Sequence, residues 1–204
     1  GEKQGVLQAG APMAYAETAS IFGEMLAFEY MLARTEGKKE KLALLLAKSA
    51  DWLNSVNRQI SFSLFEQEVH GRRKGGKLTT AEFCRAWLGV TVRMYGRDGD
   101  VFEYSDMENL WSYVGHFMRP FYVYAYSFGE LFTQSLFAGR ASIGPKFERL
   151  YIEMLESGGT RDAKALMKPF GLDPTDARFW KSGVDVSIRR WLDEAEALMR
   201  ELGL

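Results

Sequence analysis

The stretch that decides the fold is residues 39–69, KEKLALLLAKSADWLNSVNRQISFSLFEQEV. Its apolar residues Leu42, Leu45, Leu46, Leu53, Val56, Ile60, Leu64 and Phe65 recur at the three-to-four spacing of one helical stripe. About thirty residues at a rise of about 1.5 Å each reach roughly 45 Å, long for a globular protein. The pattern stops at GRRKGGK, residues 71–77, which has turn composition. An all-α protein is the expected fold class, a multi-helix assembly built around this one helix of about 30 residues.

The flanking sequence agrees. A helix is expected from Tyr15 to Arg34, apolar around most of its circumference and therefore buried. Thr79 or Thr80 can cap the next, with Glu82 as favourable first-turn charge and an end near Tyr95. Asp106 is expected to cap a short helix through Trp111, and Pro120 to open a helix that runs to Phe137 and closes at Gly139. FYVYAYSF, residues 121–128, alternates as a strand would. Phe121, Tyr124, Phe128 and Leu131 also keep helical spacing, so the run is read as helix. Four segments after Gly144 read as helices with Gly at or just after their ends, Gly183 among them. Residues 1–14 are expected to be an N-terminal loop and residues 15–204 one helical domain.

Composition excludes several classes of function. Lys and Arg number 26 against 27 Asp and Glu, so the chain lacks the basic excess of a general nucleic-acid or anionic-membrane binder. No apolar run approaches the roughly 20 residues needed to span a bilayer. The single Cys84, expected in the core, fits a reducing, cytoplasmic setting. Two His residues, His70 and His116, are too few for an all-His or Cys/His zinc site.

Two constellations carry possible chemistry. Glu17 and Glu24 are seven apart, hence on one helix face, among Ile21, Phe22, Met25, Leu26 and Phe28. Buried there, two carboxylates would need a metal, an Arg or a ring of donors. The alternative is a wet face. His116 stands just before a run carrying Tyr122, Tyr124 and Tyr126. A His and a Tyr can donate hydrogen bonds to a developing oxyanion, and the alternative is an aromatic core helix. His70 reads as a cation at a helix C-terminus. Trp52, Trp87, Trp180 and Trp191 read as core.

AETASIFGE at 16–24, HFMRPFYVYAYSFG at 116–129, ESGGT at 156–160, PFGLD at 169–173 and FWKSG at 179–183 together resemble the C-terminal part of the oligoendopeptidase F family of zinc metallopeptidases. The resemblance implies an all-helical metalloendopeptidase that hydrolyses short oligopeptides in the cytoplasm. It implies a zinc ion held by HExxH on one helix and a Glu on the next. Glu17 matches that third ligand, and Glu24 an acid behind a zinc-bound His. His116 with Tyr124, or else Tyr122, matches the groups that receive the substrate carbonyl oxygen. Which Tyr serves is left open by the sequence.

One departure is large: HExxH occurs nowhere in these 204 residues. With Gly rather than Met at position 1, the expectation is a chain that starts after the HExxH helix. Such a piece would be inactive alone, bind zinc weakly or not at all, and be free to self-associate through surface that the missing part covers. The competing expectation is a non-catalytic helical binding or scaffold domain derived from the same fold.

Overall fold

A computed structural model describes residues 1–204 except 13 and 15. Its helices are α1 (Thr18–Arg34), α2 (Lys38–Leu53), α3 (Gln59–Arg73), α4 (Thr80–Tyr95), α5 (Tyr124–Ile143), α6 (Phe147–Glu156), α7 (Ala163–Met167), α8 (Ala177–Val184) and α9 (Arg190–Leu202). Among the described residues there is no strand, only an isolated bridge between Asp98 and Phe102. The chain is all-α, as its periodicity predicts. Among the described residues no helix is long and apolar enough to cross a membrane. The residues fall into two compact units, one of Gly1–Trp52 with Phe128–Leu204 and one of Leu53–Ser127.

The long helix forms, with one departure from plain α geometry. A π-helical turn, Asn54–Arg58, joins α2 to α3. A π turn inserts a residue and rotates everything after it relative to a constant 3.6-residue repeat. Leu42, Leu45, Trp52 and Val56 are buried, and beyond the turn the buried apolar residues are Phe62, Phe65 and Val69 rather than Ile60 and Leu64. Leu46 and Leu53, expected on the stripe, are exposed.

Local signals place several ends well. Thr79 and Glu82 form a reciprocal capping box at the start of α4, which ends at Tyr95. His70 lies in the last turn of α3, its ring 4.8 Å from that of Phe121. The expected start of α1 at Tyr15 lies outside the described residues.

Other expectations are corrected. Asp106 caps nothing: it has φ 60°, and the short 3-10 helix Leu110–Tyr113 follows Asn109. Pro120 does not open α5, because Phe121 turns to φ 63° and the helix waits until Tyr124. Gly139 does not close α5, which continues to Ile143. Cys84 is half-buried, its thiol 3.2 Å from Asn109 Oδ1, and not in the core. Trp180 is only half-buried, whereas Trp52, Trp87 and Trp191 are core residues.

Gly183 is not a helix end. It sits inside α8, which continues through a second π turn, Asp185–Arg189, into α9. A Cβ there would stand 2.5 Å from Ser135 Oγ and 2.7 Å from Ser135 N, so the glycine lets this helix and α5 meet backbone to backbone. Gly158, at φ +55°, similarly admits the N-terminal segment, with Gln8 O 2.2 Å from where a Cβ would be. Gly159 N donates to that same carbonyl.

The first unit is centred on Phe22, Met25, Phe132, Leu136, Phe147 and Met167, and the second on Phe62, Phe65, Trp87, Val90 and Val123.

Candidate functional site

The first unit carries Glu17, the residue just before α1, and Glu24 within it. This helix buries Phe22, Met25, Phe28 and Leu32 at helical spacing, so it is amphipathic rather than apolar all round. Glu17 and Glu24 lie on its other side and are exposed, as are Leu26, Tyr30 and Met31. Of the buried and the wet readings of this face, the wet one holds: the Phe–Met stripe packs inward, and the two carboxylates stay exposed. Glu17 Oε2 accepts a hydrogen bond from Ser20 Oγ at 3.0 Å. Glu24 is paired with Lys48, whose side chain is almost wholly buried while that of Glu24 stays largely exposed.

Lys48 belongs to a polar network that sequence reading missed. Its ammonium also acts on Glu130, whose carboxyl is pushed above the ordinary value by burial; Lys48 and a hydrogen bond from Gln134 pull the other way. Gln134 Nε2 donates to Glu130 Oε1 at 2.6 Å, and Gln134 Oε1 accepts from Trp52 Nε1 at 3.0 Å and Ser187 Oγ at 2.5 Å. A signal existed: Lys48 interrupts the apolar stripe between Leu45 and Trp52, at positions that point inward.

The second unit carries the His–Tyr group. His116 lies in a 3-10 turn, Gly115–Met118, and its Nε2 is 3.0 Å from Tyr126 Oη. The Tyr122 ring stacks on the His116 ring at 5.8 Å and meets Tyr126 edge-on at 5.4 Å. Tyr124 stands apart from this trio and is 46% exposed. The structure therefore brings His116 together with Tyr122 and Tyr126. Helical phase counted from Pro120 misplaces these rings, because the turn at Phe121 delays the helix.

Glu66 holds that turn. Its side chain is buried on α3, and Oε1 accepts from Phe121 N at 2.9 Å, while Oε2 has no partner. The bond fixes a bulky residue in a backbone region that L side chains rarely adopt. Burial pushes the Glu66 carboxyl above its ordinary 4.5, opposed by the Phe121 hydrogen bond and the fields of His70 and His116. A carboxyl raised in the folded state stabilises the fold fully below the ordinary value, and loses that contribution as pH rises through the raised one. Glu66→Gln keeps an acceptor for Phe121 N and removes the titration. Urea midpoints of the variant and the parent, followed upward from pH 4.5, are expected to diverge in favour of the variant. Parallel profiles would show that Glu66 does not titrate in this range.

Among the described residues, no three of His, Cys, Asp and Glu gather closely enough to hold a metal ion. Glu17 offers one exposed carboxylate, and Glu24 is engaged by Lys48. The residues of this chain do not by themselves fit a zinc ion.

Comparison with known proteins agrees along nearly the whole chain. The model of peptidase family M3 matches residues 2–186. Oligopeptidase PepF of Bacillus subtilis is 28% identical over 187 residues, which cover 92% of this chain and 28% of that protein. The chromosomal oligoendopeptidase F of Lactococcus lactis subsp. cremoris is 26% identical over 202 residues, covering 98% of this chain and 33% of its own length. The crystal structure of oligoendopeptidase-F from Enterococcus faecium superposes with a TM-score of 0.80 at 25% identity, over 91% of this chain and 35% of that one. The chain spans about a third of the length of these relatives.

Proposed function

The chain belongs to peptidase family M3, and from that we propose that it forms the C-terminal part of the catalytic domain of a zinc-dependent endopeptidase acting on short oligopeptides. The observation that carries the reading is the family match over residues 2–186, alongside relatives named as oligopeptidases. On this reading Glu17 contributes one carboxylate to the metal, and Glu24 stands behind a His ligand from outside these residues. The outward face of α1 supports it. Met31, seven residues beyond Glu24 on the same stripe, is exposed, as are Leu26 and Tyr30 further round the helix, a surface suited to being covered by a further element.

The His116–Tyr126 pair receives the carbonyl oxygen of the scissile bond, with Tyr122 stacked behind His116. When Nε2 carries the imidazole proton it donates to Tyr126 Oη and polarises the phenol. Tyr124 and Tyr122 remain candidates for the same role from the family resemblance. Tyr126 is favoured over them by its hydrogen bond to His116.

The test uses residues 1–204 and the longest in-frame product that contains them. The longer product is expected to contain HExxH and to cleave internally quenched oligopeptides in a chelator-sensitive way, and Glu17→Ala should lower its kcat/KM by at least about a hundredfold. Residues 1–204 alone are expected to cleave nothing and to hold zinc well below one equivalent after dialysis. A stop codon directly upstream would instead favour a non-catalytic helical scaffold, and tight one-to-one zinc binding by the 204 residues would contradict the ligand count.

A further inference from the structure

The second unit contains a cavity of about 290 Å³ that none of the residues assigned above lines. Its walls include Phe62, Trp87, Tyr104, Met107 and Leu110, and its charged residues are Arg58 and Glu103. Phe62, Trp87 and Tyr104 are buried, so the walls are already packed and leave a preformed apolar hollow.

Arg58 is the unusual member. It is the last residue of the π turn in the long helix, and such turns are frequent at functional sites. Arg58 Nη2 donates to Tyr113 Oη at 2.5 Å, and the guanidinium faces the Phe62 ring at 5.3 Å. Among the described residues no carboxylate stands within ion-pair distance of it. A half-buried guanidinium oriented by a phenol and an aromatic ring, with no anion of its own, matches the planar two-oxygen geometry of a carboxylate. Glu103 is exposed, so water screens its repulsion.

We propose that this cavity binds the C-terminal residue of a peptide, with Arg58 pairing with the terminal carboxylate and the Phe62–Trp87–Leu110 walls taking an aromatic or branched apolar side chain. Only the source of the ligand rests on the oligopeptidase reading; the binding itself does not. The cavity's size limits the occupant to about one large side chain. It also makes the site selective for a free end, since an internal residue brings an amide where the charge is needed.

The experiment is calorimetric titration of the 204-residue chain with N-acetyl-L-phenylalanine and with its C-terminal amide, at low and moderate salt. The acid is expected to bind at least about tenfold more tightly than the amide, with the preference shrinking as salt rises. Arg58→Gln should abolish the preference while leaving the weak amide binding in place, and Arg58→Lys should restore part of it as a point charge without the fork. Shifts of the Trp87 indole resonance on titration place the ligand in this cavity. Absence of binding, equal binding of acid and amide, or a preference that survives Arg58→Gln in a folded variant would each overturn the proposal. None of these outcomes bears on whether the longer product hydrolyses peptides, so the two readings fail separately.

Discussion

Phe132→Ala is expected to lower the free energy of unfolding by about 3–5 kcal/mol. Phe132 is fully buried on α5, stacked with Phe128 at 5.7 Å and edge-on to Phe179 at 5.8 Å, with Trp180 at 6.5 Å. Truncation removes the ring's transfer free energy and leaves a hole that three large, mutually braced rings cannot easily close. Marginal domains hold only about 5–15 kcal/mol in all, so the variant should unfold at a much lower urea concentration. Phe132→Leu, which refills most of the volume, should recover more than half the loss. A loss for Phe132→Ala below about 1 kcal/mol in the urea midpoint would mean that the cluster collapses around the hole.

Gln134→Leu is expected to cost about 3 kcal/mol, through hydrogen bonds rather than volume. Gln134 is fully buried and serves three partners, accepting from Trp52 and Ser187 and donating to Glu130. Leucine fills the space but leaves the Trp52 N–H with no acceptor and takes a donor from the Glu130 carboxyl. Ser187 suffers less, since its hydroxyl also reaches Gly183 O at 2.6 Å. Burial raises the Glu130 pKa, so the lost donor matters more as pH rises and Glu130 ionises, and the cost should grow toward neutral pH. A double variant separates the terms. Trp52→Phe removes the orphaned donor, so Gln134→Leu combined with Trp52→Phe should cost less than the sum of the two single changes. Strict additivity would show that the Trp52–Gln134 bond contributes nothing.

Much of the fold is legible in the sequence because helices are local. The ends of α4 follow from Thr79, Glu82 and the glycine after Tyr95, all within reach of one helical turn. The site is legible only in part. Spacing placed Glu17 and Glu24 on one face of α1, but amino-acid type around them suggested burial. Which face turns inward depends on what packs against Phe22, and its partners Phe137, Phe147 and Tyr151 lie more than a hundred residues away. Lys48 and Glu66 were overlooked for a related reason. A charged residue on an apolar stripe is visible in the sequence, but whether it is buried is a sum over distant neighbours.

What the sequence by itself determined is the all-α class, the approximate helices, the near-neutral charge and the family, since each depends on residue identity at short separation or in fixed order. The tertiary structure decided matters of phase and contact. The π turn at Asn54–Arg58 rotates α3 so that Phe62 and Glu66, not Ile60 and Leu64, face inward. The left-handed Phe121, held by Glu66, sets which tyrosine meets His116. Gly183 serves as a helix-to-helix contact rather than a terminus because Ser135, 48 positions earlier in the numbering, occupies the space of its missing Cβ. A repeat of 3.6 residues is a local property of the backbone, whereas the residue that breaks it answers to groups the chain brings from far away.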